Sequence, residues 1–491
     1  MAYIFGDGFD LYAAPADAAN GYWDSVGGSP TLGPGRFTGS QAMQFTANTQ
    51  NLFKTSGVND ALHHLVIAFR QTAAISGSSL GLGFQFQDSS TTQFGIWFRT
   101  DGAIVLTSGA AGGTQIATYT GAFPVTNTWY AFEIEVLVSN TAGYMNVRKN
   151  GNTSNDFSSA TNLNTRAGTA NNYANKLVIA QSVGVNGQQI DDLFWRSDAA
   201  AVAWMGDIRC YTRMPASDAS VQFAKSPISQ TQVAATQSTT AGIFAGTAKY
   251  TGFTSAWDGT IGSLTLSLGA GYSGNMKCSI FASSGSAPTS VLGSATTITN
   301  PVTGVNTFVF GTPVAVSKGT QYWVGWDSDT SSGSWGAAGG TTGFSSTTSY
   351  ASFPVASPTV VAIAAAACVL TITLTTNYQL TSEAQQDGTA TYVYDSTPGH
   401  ADFYNIAAIA STPVATIAVT TRGYMEKSDA GTRTAAVQLK SGATTVATPT
   451  LVLATSGWLW AWRTDTVDPN TSAAWTAAGV NNAQIGPTTV A

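Results

Sequence analysis

Residues 188–198 read QQIDDLFWRSD. Adjacent aspartates inside an apolar, aromatic run raise three chemistries: paired carboxyls for acid–base work, a clamp for a hard cation, or acceptors that tie down backbone. Glycoside cleavage needs two carboxyls about 5–10 Å apart across one bond. In a regular strand successive side chains leave opposite faces, which groups Asp191 with Leu193 and Trp195, and Asp192 with Ile190 and Phe194. Carboxylates on opposite faces cannot flank one substrate. The expected role of Asp191 and Asp192 is therefore structural, accepting backbone N–H bonds at a strand entrance. Calcium takes about six to eight oxygens, and the sequence nominates no further ligands. No cofactor is expected, with calcium the one ion the pair leaves open.

Other reactive side chains are sparse. His63 and His64 precede LVIAFRQ, and the third histidine, His400, is remote in sequence. Zinc wants at least three protein ligands, so the pair is read as a polar strand end. No nucleophile elbow, phosphate loop or paired-histidine metalloprotease motif is present. Cys210, Cys278 and Cys368 lack paired spacing and are read as buried thiols. The expectation is a protein without enzymatic chemistry.

Aromatic side chains offer another chemistry, since ring faces stack on sugars. Trp257, Tyr322, Trp323, Trp326 and Trp335 crowd one stretch. Trp323 is read as core, whereas Trp335, in SSGSWGAAGG, is read as exposed on a Gly-rich loop. Trp257, Trp326, Trp335 and Trp458 are the candidate glycan or partner contacts. In SGWLWAWRTD, Trp458, Trp460 and Trp462 alternate and so share one strand face. Trp460 is expected in the core, and Trp458, at the strand's start, in a subunit contact.

The elements that carry these residues are β-strands. The chain has 491 residues, with 20 Lys plus Arg, 26 Asp plus Glu and a net charge of −6. Its charged fraction is 9%, where a soluble domain usually carries about 25%. Without a basic patch, nucleic acid is not an expected partner. The longest apolar run, Val360 to Leu370, falls well short of the roughly twenty residues of a membrane span. The opening MAYIFGDGFD lacks Lys and Arg, so no signal peptide is expected there. Only PADAAN and PNTSAAWTAAG suggest helical turns; elsewhere short alternating runs are separated by Gly, Asn, Ser and Pro. FGIWFRTDGAIVLTSG reads as a hairpin about Asp101–Gly102. In TWYAFEIEVLV, Phe132, Ile134, Val136 and Val138 point one way, and Glu133, Glu135 and Leu137 the other.

Three β-rich segments follow: 1–226, 227–378 and 379–491. In the first, YIFGDGFDLYA, TWYAFEIEVLV with GYMNVRKNGN, IDDLFWRSD, and WMGDIRCYTRMPASD occur in that order. The series resembles the laminin-G-like (concanavalin-type) jelly roll of many bacteriophage virion proteins and covers nearly the whole segment. In the second, KCSIFASSGSAPTSVLGSATT followed by NTFVFGTPVAVSKGTQYWVGWDSD resembles a jelly-roll module similar to carbohydrate-binding modules. In the third, TSEAQQDGTATYVYDSTPGHADFYNI, RGYMEKSDAGTRTAAVQLKSG and DPNTSAAWTAAGVNNAQIG are similar to the small β domain that often follows the laminin-G-like one. Here the second segment lies inserted between them.

The resemblance implies an all-β, multidomain virion component of a tail, baseplate, fibre or head decoration. Such a protein is made in the host cytoplasm and self-associates with other virion proteins. Adhesion to a host-surface glycan is the accompanying expectation. The rival from another class is a polysaccharide-binding or polysaccharide-degrading enzyme of the host cell surface.

Overall fold

The computed structural model describes residues 3–182, 187–198, 203–232, 239–285, 287–366, 368–374, 376–383, 385–409, 413, 415–455 and 457–490. They form an all-β structure with two short 3-10 turns and one short α-helix among the described residues. The chain divides into two compact units: Met1–Gln222 with Ser382–Asp387 and Ser396–Ala491, and Phe223–Thr381 with Gly388–Asp395. The first and third sequence segments, expected as separate domains, thus share one unit. The reason is a common core, described below.

Unit 1 is built on two antiparallel sheets. One runs Phe157–Ser158, Tyr144–Lys149, Tyr130–Leu137, Leu62–Gln71, Gln188–Asp198, Gln41–Phe45, Thr31–Pro34, with Tyr3–Asp7 also paired to Gln188–Asp198. The other runs Thr114–Tyr119, Ile104–Ser108, Thr91–Arg99, Leu80–Asp88, Ala174–Gln181, Asn51–Asp60, Ser25–Gly27. Their facing side chains make one apolar core, including Phe132, Ile134, Val136 and Val138 from one sheet and Phe84, Phe86, Phe94 and Phe98 from the other. Alternation places them there, as in any sandwich. The hairpin at Asp101 closes with Phe98 opposite Ile104, and Gly102 takes the positive φ of +85° that the tight turn requires.

The C-terminal part of unit 1 adds a two-stranded ribbon, Val419–Met425 against Leu459–Asp465, and five strands of a six-stranded sheet whose sixth is Pro215–Ser220. On that ribbon Trp460 is buried in the same core as Phe5, Phe9 and Tyr12, and Trp462 and Tyr424 pack against it. The PADAAN stretch is a 3-10 turn, Pro15–Ala19, and turn ends leave carbonyls without partners. The ribbon's indoles add donors there: Trp460 Nε1 donates at 2.9 Å to Asp17 O, which also accepts from Asn20 N, and Trp462 Nε1 donates to Gly21 O at 3.0 Å.

Unit 2 is a twelve-stranded antiparallel sheet that closes over one core. Gly259–Ala270 and Gly304–Val316 contribute Leu264, Leu266, Phe308 and Phe310, while Asn275–Ser284 and Gln321–Ser328 contribute Met276, Ile280, Val324 and Trp326. The alternate residues of those last strands, Phe281 and Trp323, join Ala248, Tyr250 and Phe353 in a second cluster. Trp323 is thus core, with its indole N–H donated to Ser283 Oγ at 3.1 Å.

Candidate functional site

The Gln188–Asp198 strand is not regular at its aspartates. Asp191 stands opposite Ala68 and Phe194 opposite Val66, so one extra residue is accommodated between them. Asp192 carries the bulge with φ +49°, a left-handed conformation that costs a non-glycine residue energy. The bulge overturns the alternation expected from the sequence. Ile190, Leu193 and Trp195 enter the core, while both carboxylates meet Arg36, on the side away from that core.

There they hold irregular chain. Asp191 Oδ2 accepts from Arg36 N at 2.7 Å and Ser40 Oγ at 3.3 Å, and its Oδ1 accepts from Asp192 N at 2.7 Å. Asp192 Oδ1 accepts from Cys210 N at 2.7 Å. Its Oδ2 has no hydrogen-bond partner and faces the Arg36 guanidinium at 3.6 Å. Arg36 in turn makes a two-pronged pair with Asp207, at 2.6 and 2.5 Å. The carboxyls are 1% and 2% exposed. Burial raises Asp191, reinforced by the charge of Asp192; burial also raises Asp192 against the opposing pull of the Cys210 N–H and Arg36.

Cys210 and Asp207 belong to a strap, Trp204–Thr212, that has no regular secondary structure. The strap is tied down by side chains pointing outward from the sheet. Glu133 accepts from Met205 N and Gly206 N, both at 2.8 Å. Asp10 accepts from Thr212 Oγ1 at 3.0 Å. At the start of the strap, Trp204 sits edge-on to His64 at 5.7 Å with Arg148 over its ring at 4.1 Å. His64 Nε2 lies 3.0 Å from Glu135 Oε2. Burial pulls His64 down, but the neighbouring Glu133 and Glu135 carboxylates outweigh it and raise it above the usual imidazole range.

His63 and His64 are therefore not a strand end. Both are buried within the Leu62–Gln71 strand, on opposite faces. His63 packs against Phe86 and Trp195 in the core, and burial pushes it down to about 3, neutral at ordinary pH. Among the described residues no group of three or more His, Cys, Asp or Glu is placed to hold a metal ion.

A second buried charge lies where the ribbon docks. Asp7 accepts from Tyr12 OH at 2.6 Å, Trp23 Nε1 at 2.7 Å and Phe9 N at 3.0 Å. Arg422 reaches it from the ribbon at 3.3 Å and stacks over Tyr22 at 3.9 Å. Neither Arg36 nor Arg422 is marked by any local motif; each is recognisable only through a partner distant in sequence.

The aromatic contact candidates fare differently from their expectation. Trp335 is 3% exposed and edge-on to Trp326 at 5.5 Å, both in the core of unit 2. The Gly-rich stretch around it is not a loop but the strand Ser334–Thr347, paired on one side to Thr239–Gly242. Small residues allow close strand packing, and the pairing turns the indole inward. Trp257 is half-buried against the same core. Trp458 is half-buried and stacked on Tyr424, with ring centroids 5.4 Å apart. What the sequence reading missed is Tyr392 and Tyr394, 37% and 52% exposed on unit 2. Their signal was the alternation in TYVYD, where Val393 alone faces inward.

Unit 2 also has a recess of about 400 Å³ lined by hydroxyls, among them Ser346, Thr348, Ser349 and Ser352, with Val355 and Pro358 the apolar members.

No protein-family model matches the chain, and no curated protein sequence does. Among solved structures, a carbohydrate esterase of the Shiga toxin-encoding bacteriophage phi24B is similar over 38% of this chain and 96% of its own, at 15% identity and a TM-score of 0.28. A carbohydrate-binding module of Bacillus subtilis is similar over 38% of this chain and 99% of its own, at 8% identity and a TM-score of 0.24. Arcelin-5, a lectin-like defense protein of Phaseolus vulgaris, is similar over 41% and 99%, at 10% identity and a TM-score of 0.28.

Proposed function

We propose that the chain is a structural component of a bacteriophage virion, made in the host cytoplasm, self-associating in the particle and binding host-surface glycan without cleaving it. The observation that carries the non-enzymatic part is the state of the acid pair. Asp191 and Asp192 are buried and engaged with backbone N–H groups of Arg36, Asp192 and Cys210, so no substrate oxygen reaches them. A polysaccharide-cleaving reading needs an exposed acid and base, and these two residues offer neither. The virion part is supported by the ordered laminin-G-like motifs of the first segment. The adhesive part is supported by unit 2, whose recess presents hydroxyls and no charged side chain, a lining suited to uncharged sugars.

Two measurements test the proposal. Bacterial surface polysaccharides incubated with purified protein should release no reducing ends; release abolished by Asp191→Asn would overturn the structural role of that residue. Electron microscopy of intact particles labelled with an antibody against unit 2 should decorate the virion, and unlabelled particles would remove the virion assignment.

A further inference from the structure

The molecule has 13 Trp, 17 Tyr and 23 Phe. Among the described residues, the aromatic side chains left largely exposed are Phe244, Tyr392 and Tyr394. Two of the three stand side by side. Their rings have centroids 6.0 Å apart with planes 55° to each other. The backbone that bears them is fixed: Tyr394 pairs with Ala224 and Val393 with Lys225. Tyr392 N accepts no freedom either, donating to Ser226 Oγ at 3.0 Å, while Tyr392 O accepts from Ser226 N at 2.9 Å. Val393, between them, packs into the core. The strand therefore holds both rings partly exposed, with the small, exposed Ala224 opposite Tyr394.

We infer that Tyr392 and Tyr394 form a stacking platform for a neutral oligosaccharide. This rests on the glycan-adhesion reading above and gives it a place. The occupant follows from chemistry and size. A phenol ring offers an apolar face to the C–H side of a pyranose and a hydroxyl to its rim. At 37% and 52% exposure, two tyrosines present on the order of 200 Å². That matches one or two sugar rings and is far below the roughly 1,000 Å² that a stable protein partner or second copy requires. The charges that border the pair, Asp395 after Tyr394 and Lys225 opposite Val393, are one of each sign, which favours a neutral glycan over a charged one.

The test uses the full chain with maltohexaose, cellohexaose and mannohexaose as probes, read by calorimetry and by perturbation of tyrosine ring resonances. Wild type should bind at least one probe and shift two ring signals. Tyr392→Ala/Tyr394→Ala should weaken that binding at least about tenfold with an unchanged melting curve, whereas Tyr392→Phe/Tyr394→Phe should retain it within about threefold, since stacking survives loss of the hydroxyl. Phe244→Ala should bind as wild type. If the double alanine variant binds normally, or no tyrosine signal moves on saturation, the platform is overturned while glycan adhesion stands. If wild type binds none of the probes, the platform and the neutral-glycan reading fall together.

Discussion

The two units solve one problem, covering the outside of a sheet with irregular chain, with a different balance of charge and apolar packing. Unit 1 uses buried charge: Glu133, Asp191, Asp192 and Arg36 anchor the strap and the turn at Arg36–Ser40, and Arg422 pins the ribbon onto Asp7. Unit 2 relies mainly on apolar side chains, with one cation beside them: Lys277 Nζ donates to Tyr350 O at 2.9 Å and to Phe353 O at 3.4 Å. Its second cluster, Tyr250, Phe281, Trp323 and Phe353, packs beneath the chain that follows Ser334–Thr347. Carboxylates are directional and hold backbone N–H groups at defined points, so they suit a strap with no ladder of its own. Apolar cover is non-directional and suits a segment whose exact register matters less. In both units the buried and half-buried charged side chains act as joints that hold irregular backbone.

A large effect in unit 1 is expected from breaking its pinned charge. Arg422→Met leaves Asp7 buried without its cation and should destabilise unit 1 by about 3–5 kcal/mol, seen as an early melting transition with the transition of unit 2 unmoved. Adding Asp7→Asn should restore part of the loss; no restoration would show that packing of the Arg422 stem, not charge, holds the ribbon. In unit 2 the matching break is apolar. Trp335→Ala should destabilise that unit by about 3–5 kcal/mol, with glycan binding lost only through unfolding.

On the ribbon, Trp460→Arg places a charge in the shared core and should unfold unit 1, at a cost of several kcal/mol. Trp458→Arg should leave the monomer's melting curve intact and reduce assembly, measured by sedimentation. A fully stable, normally assembling Trp460→Arg protein would contradict the burial described for that indole.

A smaller effect is expected from Asp191→Ala, about 1–3 kcal/mol, because three donors lose their acceptor. The smallest is a pH effect at Asp192. Both carboxyls are raised above the ordinary 3.8, so their contribution to stability is fully present below that value and is lost as pH climbs toward neutrality. Asp192→Asn keeps an acceptor for Cys210 N and removes the titration. The difference in denaturation midpoint between wild type and variant should therefore grow in the variant's favour from pH 4 to pH 8. A constant difference would place the titration elsewhere.

Much of the fold was legible because period-two patterns are local. Phe132, Ile134 and Val136 face inward as their spacing dictates, and the Asp101–Gly102 hairpin closes where the dipeptide said it would. The candidate site was legible in residue type but not in geometry. A single extra residue at Asp192 moves both carboxylates to one side, and nothing in IDDLFW marks the bulge. Trp335 was misread because glycine suits both a loop and a tightly paired strand; only the partner strand Thr239–Gly242 decides. Arg36 and Arg422 escape local reading altogether, since their partners lie 155 to 415 residues away.

That last distance has a consequence in time. Asp7 and Arg422 are 415 residues apart, and ribosomes add about 5–20 residues each second. Asp7 thus waits roughly 20–80 s on the ribosome without its cation, about half of it after the strand Gln188–Asp198 has completed the sandwich. During that interval the uncovered aromatic patch around Phe5, Tyr12 and Tyr22 is the natural handle for a chaperone, and arrest of translation before residue 422 should leave nascent chains that are aggregation-prone and protease-sensitive in the first segment.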